Sequence, residues 1–284
     1  MNMVDQIINL ALFEDSGLGD ITSESILPGP RQGTGVIVAK QGCVLAGTRV
    51  AQKTFHLLDP ATDVVWHYQD GDTVPEGAVV MAASGDLLCL LKGERVALNF
   101  LQRLSGIATL TREYVDLLKG FRARLTDTRK TTPGWRQLEK QAVRAGGGYN
   151  HRFSLYDGIL IKDNHIAVAG GISAAVQAVR HRTSHLMKIE VEVSDMDQVK
   201  EALAAGADVI MLDNMSCAAM ADAVKVINGR ALVEASGNVS LSTLRDIAAT
   251  GVDVISCGAL THQARSVDLS MRLTAGGPEV KLSK

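Results

Sequence analysis

The sequence predicts an α/β protein in which a mixed α+β N-terminal domain precedes a parallel α/β barrel, whole or partly closed, of about six strands. Three observations carry this. After Gly106, short apolar runs ending in polar residues alternate with helical stretches, which requires parallel strands with right-handed crossovers. Two hexapeptides, Ala205-Gly206-Ala207-Asp208-Val209-Ile210 and Thr250-Gly251-Val252-Asp253-Val254-Ile255, match at an offset of 45 residues, the length of two βα units. The first hundred residues lack that alternation.

Asp5–Glu14 has helical spacing, with Ile7, Ile8, Leu10, Ala11 and Leu12 apolar. Gly35–Ala46, Asp63–Tyr68 and Ala78–Ala83 are β-like, and Gly71-Asp72 and Pro75-Glu76-Gly77 make turns between the later runs. A helix comes next, from about Leu87 to Leu104, with Leu91, Leu98 and Leu101 at helical intervals. The barrel strands are Ala123–Asp127, Gly158–Ile161, Lys188–Val193, Val209–Leu212, Ala231–Ala235 and Val254–Ser256. In each copy of the repeat, Gly ends a helix in the left-handed conformation and Asp precedes a buried strand.

The residues at the strand ends point to a site. They are Thr128-Arg129-Lys130, Lys162-Asp163, Glu192, Asp213, Ser236-Gly237 and Cys257-Gly258, the last four spaced 21, 23 and 21 residues apart. In a βα barrel these ends converge on the face that builds the active site. One pocket would then hold several cations, two carboxylates and two small-residue turns suited to phosphate. Glu192 and Asp213, on adjacent strands, suit Mg2+ bound partly through substrate oxygens. Asp213 can also be read as a helix cap before Asn214 and Ser216. Arg129 and Arg152 can each grip a carboxylate with two parallel hydrogen bonds, and Lys130 and Lys162 supply point charges for phosphate.

Charge agrees. The 284 residues carry a formal net charge of −2, yet Lys119 to Lys162 holds ten Lys/Arg against three acids. A local excess inside an acidic chain fits a pocket for a small, multiply charged anion better than a nucleic-acid face. Aromatics make up only 4% of the chain, too few for a base-stacking surface. Cys43, Cys89, Cys217 and Cys257 form no CxxC, so buried reduced thiols are expected. Met1 to Ser16 has no basic segment of a signal peptide, and no apolar run approaches the ~20 residues of a membrane span. A cytoplasmic protein is expected. There is no Walker A loop or complete GxGxxG; His181 and His185 lack the glutamate of a zinc protease, and His56, His67 and His262 read as structural.

Eight stretches then carry a resemblance. They are Ala11–Ser23 (ALFEDSGLGDITS), Gly93–Thr111 (GERVALNFLQRLSGIATLT), Thr128–Lys140 (TRKTTPGWRQLEK), Gly146–His165 (GGGYNHRFSLYDGILIKDNH), Glu190–Val193 (EVEV), Gly206–Asn214 (GADVIMLDN), Glu234–Gly237 (EASG) and Ser256–His262 (SCGALTH). In this order, over residues 11 to 262, the chain resembles the quinolinate phosphoribosyltransferases, the decarboxylating nicotinate-nucleotide pyrophosphorylases.

The resemblance implies an N-terminal domain over 1–108, joined by the tail 267–284, and an incomplete barrel over 109–266. It implies a homodimer that joins quinolinate to 5-phosphoribosyl pyrophosphate (PRPP) with Mg2+, releasing nicotinate mononucleotide, pyrophosphate and CO2 in de novo NAD synthesis. By matched position, Arg129, Arg152, Lys130 and His151 would hold the carboxylates of quinolinate, and Arg95 would reach across from the partner subunit. Lys162, Glu192 and Asp213 would face PRPP, the acids through Mg2+, and with Lys130 form the catalytic set. Ser236, Gly237, Cys257 and Gly258 would cradle the 5′-phosphate, with Thr128 and Asn238 beside them. Gln141, Ser154 and Asn238 depart from the family's usual aromatic, Gly and Gly. Retention of the charged set argues against two alternatives, a sister protein of molybdenum-transport operons and a non-catalytic barrel.

Overall fold

The computed structural model describes residues 2–276. Its first part has α1 Met3–Ser16, α2 Ile21–Ile26, β1 Gln32–Ala39, β2 Cys43–Val44, α3 Thr48–Leu58, β3 Asp63–Trp66, β4 Thr73–Val74, β5 Val79–Asp86 and α4 Leu87–Leu117. Next come β6 Arg124–Thr126, α5 Arg136–Ala145, β7 Ile159–Ile161, α6 Asp163–Ala169, α7 Ile172–Arg182, β8 Ile189–Val193 and α8 Met196–Ala204. The chain continues through β9 Val209–Asp213, α9 Cys217–Ile227, β10 Leu232–Ser236, α10 Leu244–Ala249, β11 Val254–Ser256, α11 Ala259–His262 and β12 Leu269–Ala275.

Contacts divide the described residues into two units. The first takes in residues up to Leu110, 132–147 and everything from Ala264 on; the second is 111–131 with 148–263. The first boundary thus lies near the expected 108, but 132–147 joins the first unit. There Trp135 stacks on Phe100 with ring centroids 4.6 Å apart, and buried Glu139 accepts hydrogen bonds from Thr132 N (3.1 Å) and Oγ1 (2.7 Å). Of the tail 267–284, residues 277–284 lie outside the described residues.

The first unit is built on an antiparallel sheet of order β12-β1-β5-β3. Along β1 the residues alternate between buried and partly exposed, placing Ile37 and Ala39 in one core with Phe55, Met81, Leu98, Leu101 and Leu269. The β-like run expected at Gly35–Ala46 is two strands, broken at 40–42, because β2 leaves the main sheet to pair with β4. The helix expected to end near Leu104 continues to Leu117. Gly106 reads as a break in sequence, but a Cβ there would run into the Arg265 carbonyl, so glycine serves close backbone approach inside the helix.

The second unit is a parallel sheet of order β6-β11-β10-β9-β8-β7. This is the winding of a barrel left open between β6 and β7. The free edge of β6 is taken by irregular chain: Thr126 bridges Tyr149, Tyr149 N donates to Leu125 O (2.8 Å), and Asp127 N donates to Tyr149 O (3.1 Å). The repeat is explained by structure. Asp208 Oδ2 accepts from Ile189 N, and Asp253 Oδ2 from Val233 N, each at 2.9 Å, so each aspartate ties the start of its strand to the preceding strand in the barrel. Gly206 (φ 80°) and Gly251 (φ 90°) take the expected left-handed turns. All four cysteines are free, but only Cys43 and Cys257 are buried, and Cys217 is exposed.

Gly106→Ala is expected to destabilise the protein by about 1–3 kcal/mol, the usual cost of overpacking. In an unobstructed helix the same change would stabilise by ~1 kcal/mol. Urea unfolding of the variant beside the parent gives the sign.

Candidate active site

At the strand C-terminal ends, the second unit opens a cavity of about 710 Å3. Thr128, Arg129 and Lys130 reach it from the loop after β6, Lys162 from the end of β7, and Glu192 and Asp213 from β8 and β9. Ser236, Gly237 and Asn238 come at the end of β10, and Cys257 and Gly258 just after β11. His151 and Arg152 belong to the segment that fills the gap beside β6. Arg95 belongs to the first unit, exposed on α4, and is not among the lining residues.

The gap segment is fixed by Asp127, which is fully buried and accepts from Asn150 Nδ2 (2.6 Å) and His151 N (2.9 Å). His151 N–H and ring thus have separate tasks. Its Nε2 lies 3.2 Å from Glu190 Oε2 and 3.4 Å from Glu234 Oε1, while Nδ1 accepts from Arg152 N at 2.9 Å. Arg152 Nη1 donates to Gly158 O (2.9 Å), which aims the guanidinium. Burial and then the Arg129 charge lower the Arg152 pKa, the mark of two like charges converging on a place for an anion.

Glu190 and Glu234 lie two residues before Glu192 and Ser236, so they point to the same face of their strands one layer deeper. They are 7% and 3% exposed, and each has an oxygen, Oε1, without a hydrogen bond. His151, Glu190 and Glu234 bring one ligand atom each within 4.8 Å of one another, as a metal site would. Protonation explains the cluster instead. Burial alone would lower the His151 pKa, but the Glu190 and Glu234 carboxylates beside it push it up to about 10. Burial, and the charge of Glu234, raise Glu190 as well. His151 and Glu190 are thus each shifted toward the protonated form. Arg152 N–H aimed at Nδ1 means that in the neutral ring the proton sits on Nε2, facing the glutamates.

At the other end of the cavity, Lys162 Nζ pairs with Glu192 Oε2, and Asn214 Nδ2 donates to Asp213 Oδ2 at 2.8 Å. The second oxygen of each carboxylate has no hydrogen bond among the described residues. Asp213 is not a helix cap; Ser216 is the cap of α9, accepting from Ala219 N. Cys257 is buried, its thiol pKa raised by burial, with N donating to Thr126 O (2.9 Å) and Sγ against Val239 O (3.7 Å). Its buried side chain serves packing.

Sequence reasoning missed Asp127, Glu190, Glu234 and Asn214, and it set aside His262, which also lines the cavity. A Cβ on Gly258 would sit 3.0 Å from both His262 Nε2 and Lys130 Cδ, so this glycine keeps room where those side chains meet. The strand period offered a signal for the two glutamates, since each shares a face with a residue already singled out.

The raised His151 pKa gives stability a pH dependence. The folded pKa of His151, about 10, exceeds its ordinary 6.5, so the folded state binds more protons. This stabilisation is complete below the ordinary value and is lost as the pH rises through about 10. Denaturant midpoints should fall between neutral pH and pH ~10, and fall less in Glu234→Gln, which removes a carboxylate from the cluster. Equal slopes in parent and variant would assign the effect elsewhere.

Comparison with known proteins places this geometry. The family model for the quinolinate phosphoribosyl transferase N-terminal domain matches residues 20–105, and that for its C-terminal domain matches 107–272. A Bacillus subtilis (strain 168) protein named probable nicotinate-nucleotide pyrophosphorylase (carboxylating) is 47% identical over 276 residues, 97% of this chain and 95% of that one. A Nicotiana tabacum protein named quinolinate phosphoribosyltransferase (decarboxylating) 2b, mitochondrial, is 39% identical over 94% of this chain and 81% of its own length. The crystal structure of NadC from Streptococcus pyogenes superposes with a TM-score of 0.92 at 42% identity, covering 96% of this chain and 97% of the other. With both domain models matched in order and such relatives spanning nearly its whole length, the chain belongs to the quinolinate phosphoribosyltransferase family.

Proposed function

We propose that the protein transfers the phosphoribosyl group of PRPP to quinolinate with loss of CO2, giving nicotinate mononucleotide and pyrophosphate in de novo NAD synthesis. The observation that carries this reading is the convergence of Arg129, Lys130, Arg152 and Lys162 with Glu192 and Asp213 on one cavity. Four cations against two acids suit a dicarboxylate and a pyrophosphate held together. The names of the Bacillus and tobacco relatives support the same chemistry.

Arg129 and Arg152 grip the two carboxylates of quinolinate, with Lys130 adding charge. His151 has both ring nitrogens engaged by the protein, so it supports binding by orienting Arg152. The ring nitrogen of quinolinate attacks C1′ of the ribose as pyrophosphate departs. Lys162 is placed to neutralise the leaving oxygens, and Glu192 and Asp213 offset positive charge developing on the ribose. The product pyridinium draws in the electron pair left at C2 when CO2 leaves, and a proton then takes that place. Thr128, Ser236, Gly237, Asn238 and Gly258 line the end that receives the 5′-phosphate.

Glu192 and Asp213 fit Mg2+, because each is a hard oxygen donor with one oxygen used and one remaining. When bound, Mg2+ would supply charge neutralisation for the departing pyrophosphate. The reading includes a homodimer in which Arg95 completes the partner's site. Its exposure on α4 supports that role. It also includes a cytoplasmic setting, supported by four free thiols.

Incubated with PRPP and Mg2+, the protein should form nicotinate mononucleotide from quinolinate and not from nicotinate, and chelation should stop turnover until Mg2+ is restored. Product from nicotinate, or none from either, overturns the reading. In Arg129→Ala, removing one partner of a charged hydrogen-bonded pair costs ~2–5 kcal/mol, so quinolinate should bind about 30- to several-thousand-fold more weakly. PRPP should bind nearly as before; an equal loss for both would make Arg129 structural. Mixed Arg95→Ala and Glu192→Ala homodimers should regain activity on subunit exchange. No recovery after verified exchange would remove Arg95 from the partner's site.

A further inference from the structure

Asp213, at the end of β9, and the Ser236–Asn238 loop, at the end of β10, are joined by a side-chain chain of hydrogen bonds. Asn214 Nδ2 donates to Asp213 Oδ2 at 2.8 Å, and Asn238 Nδ2 donates to Asn214 Oδ1 at 3.0 Å. Each bond requires the other. A carboxylate only accepts, so the amino end of the Asn214 amide must face Asp213. Its carbonyl end then faces Asn238, which must present its own amino end. Beneath the side chains, Asn214 N donates to Ser236 O at 2.9 Å, continuing the β9–β10 ladder one residue beyond the strands.

The backbone is shaped around this contact. Asn214 and Asn238 both take left-handed conformations, φ 54° and 51°, which asparagine tolerates better than most residues. Gly237 between them in space has φ 88°, and a Cβ there would overlap the Asn214 amide. The far side of the loop is held too, as Thr243 Oγ1 donates to Asn238 O at 3.1 Å. Two unfavourable backbone positions and a glycine without room for a methyl group thus serve one amide–amide contact.

We propose that Asn214 is a positioning residue, and that with Asn238 it clasps the Asp213 carboxylate to the phosphate loop so that PRPP meets both at a fixed separation. The inference rests on the reading that PRPP occupies this cavity. PRPP is the one substrate that spans both ends, with ribose and pyrophosphate toward Asp213 and 5′-phosphate toward Gly237. Quinolinate, at Arg129 and Arg152, touches neither end of the clasp. The clasp also accounts for asparagine at 238, where the family commonly has glycine: the side chain supplies a donor that glycine lacks.

The test compares the parent with Asn214→Ala, Asn238→Gly and the double variant, measuring kcat, the KM for each substrate and the dissociation constant of quinolinate. Each single variant should raise the PRPP KM by about tenfold or more, the loss expected of a hydrogen bond in a charged chain. Quinolinate affinity should stay within about twofold, and the double variant should be little worse than the poorer single, since Asn214→Ala already breaks both hydrogen bonds of the clasp. Asn238→Gly keeps the left-handed turn without strain, so it reads the clasp even if Asn214→Ala folds poorly. Parallel loss of both substrates would make the asparagines structural and overturn the proposal. Additive effects in the double variant, or an unchanged PRPP KM in an active enzyme, would overturn it too. A parent that forms no nicotinate mononucleotide sinks the functional reading itself, a result distinct from these.

Discussion

The open edge of β6 is the constraint on which the second unit depends. A parallel barrel left unclosed exposes a row of backbone donors and acceptors, and these need partners. Here the chain from Gly148 to Arg152 supplies them, bridging at Tyr149 and anchored by the buried carboxylate of Asp127. Arg124 stacks over the Tyr149 ring, 5.3 Å from its centroid, on the same edge. Because the filler is irregular, its side chains need not alternate as a strand's would. His151 turns into the barrel toward Glu190 and Glu234 while the next residue, Arg152, lines the cavity. Irregularity at the gap is therefore how two consecutive residues come to serve one site.

Electrostatic preparation stems from that placement. Burial and the nearby Arg129 charge both lower the Arg152 pKa, a cost the folded chain carries until an anion arrives. The Glu190 and Glu234 carboxylates below face His151 Nε2 and raise its pKa, while its Nδ1 accepts from Arg152 N. Charge is thus sorted by depth, with Glu190 and Glu234 buried in the interior and four cations around the cavity. Dipoles and charges fixed before substrate binds need not reorganise during reaction, which is where such sites obtain most of their effect.

Much of this was legible in the sequence. The ends of the six barrel strands fall within one residue of those expected, because short apolar runs bounded by Gly, Asp and charged residues leave little freedom of placement. The repeat at Asp208 and Asp253 proved to be a structural tie between neighbouring strands, and its glycines adopt the left-handed turns expected of them. Elsewhere local signals misled. Gly106 looks like a helix end until the Arg265 backbone is seen beside it, and the run from Gly35 to Ala46 looks continuous until β2 is seen pairing with β4. Cys217, expected in the core, is exposed.

By itself the sequence determined the order of elements, the face on which the charged residues gather, and the family, because periodicity and motif spacing are properties of the chain alone. Only the tertiary structure decided which partners those charged residues have. Glu190, Glu234 and Asp127 carry no role of their own in the sequence and become buried partners of the gap segment only when segments 23 to 83 residues apart are folded together. Protonation, amide orientation and the need for glycine at 237 depend on atoms from several strands meeting within about 3 Å, the range over which hydrogen bonding acts. No window of sequence contains those neighbours.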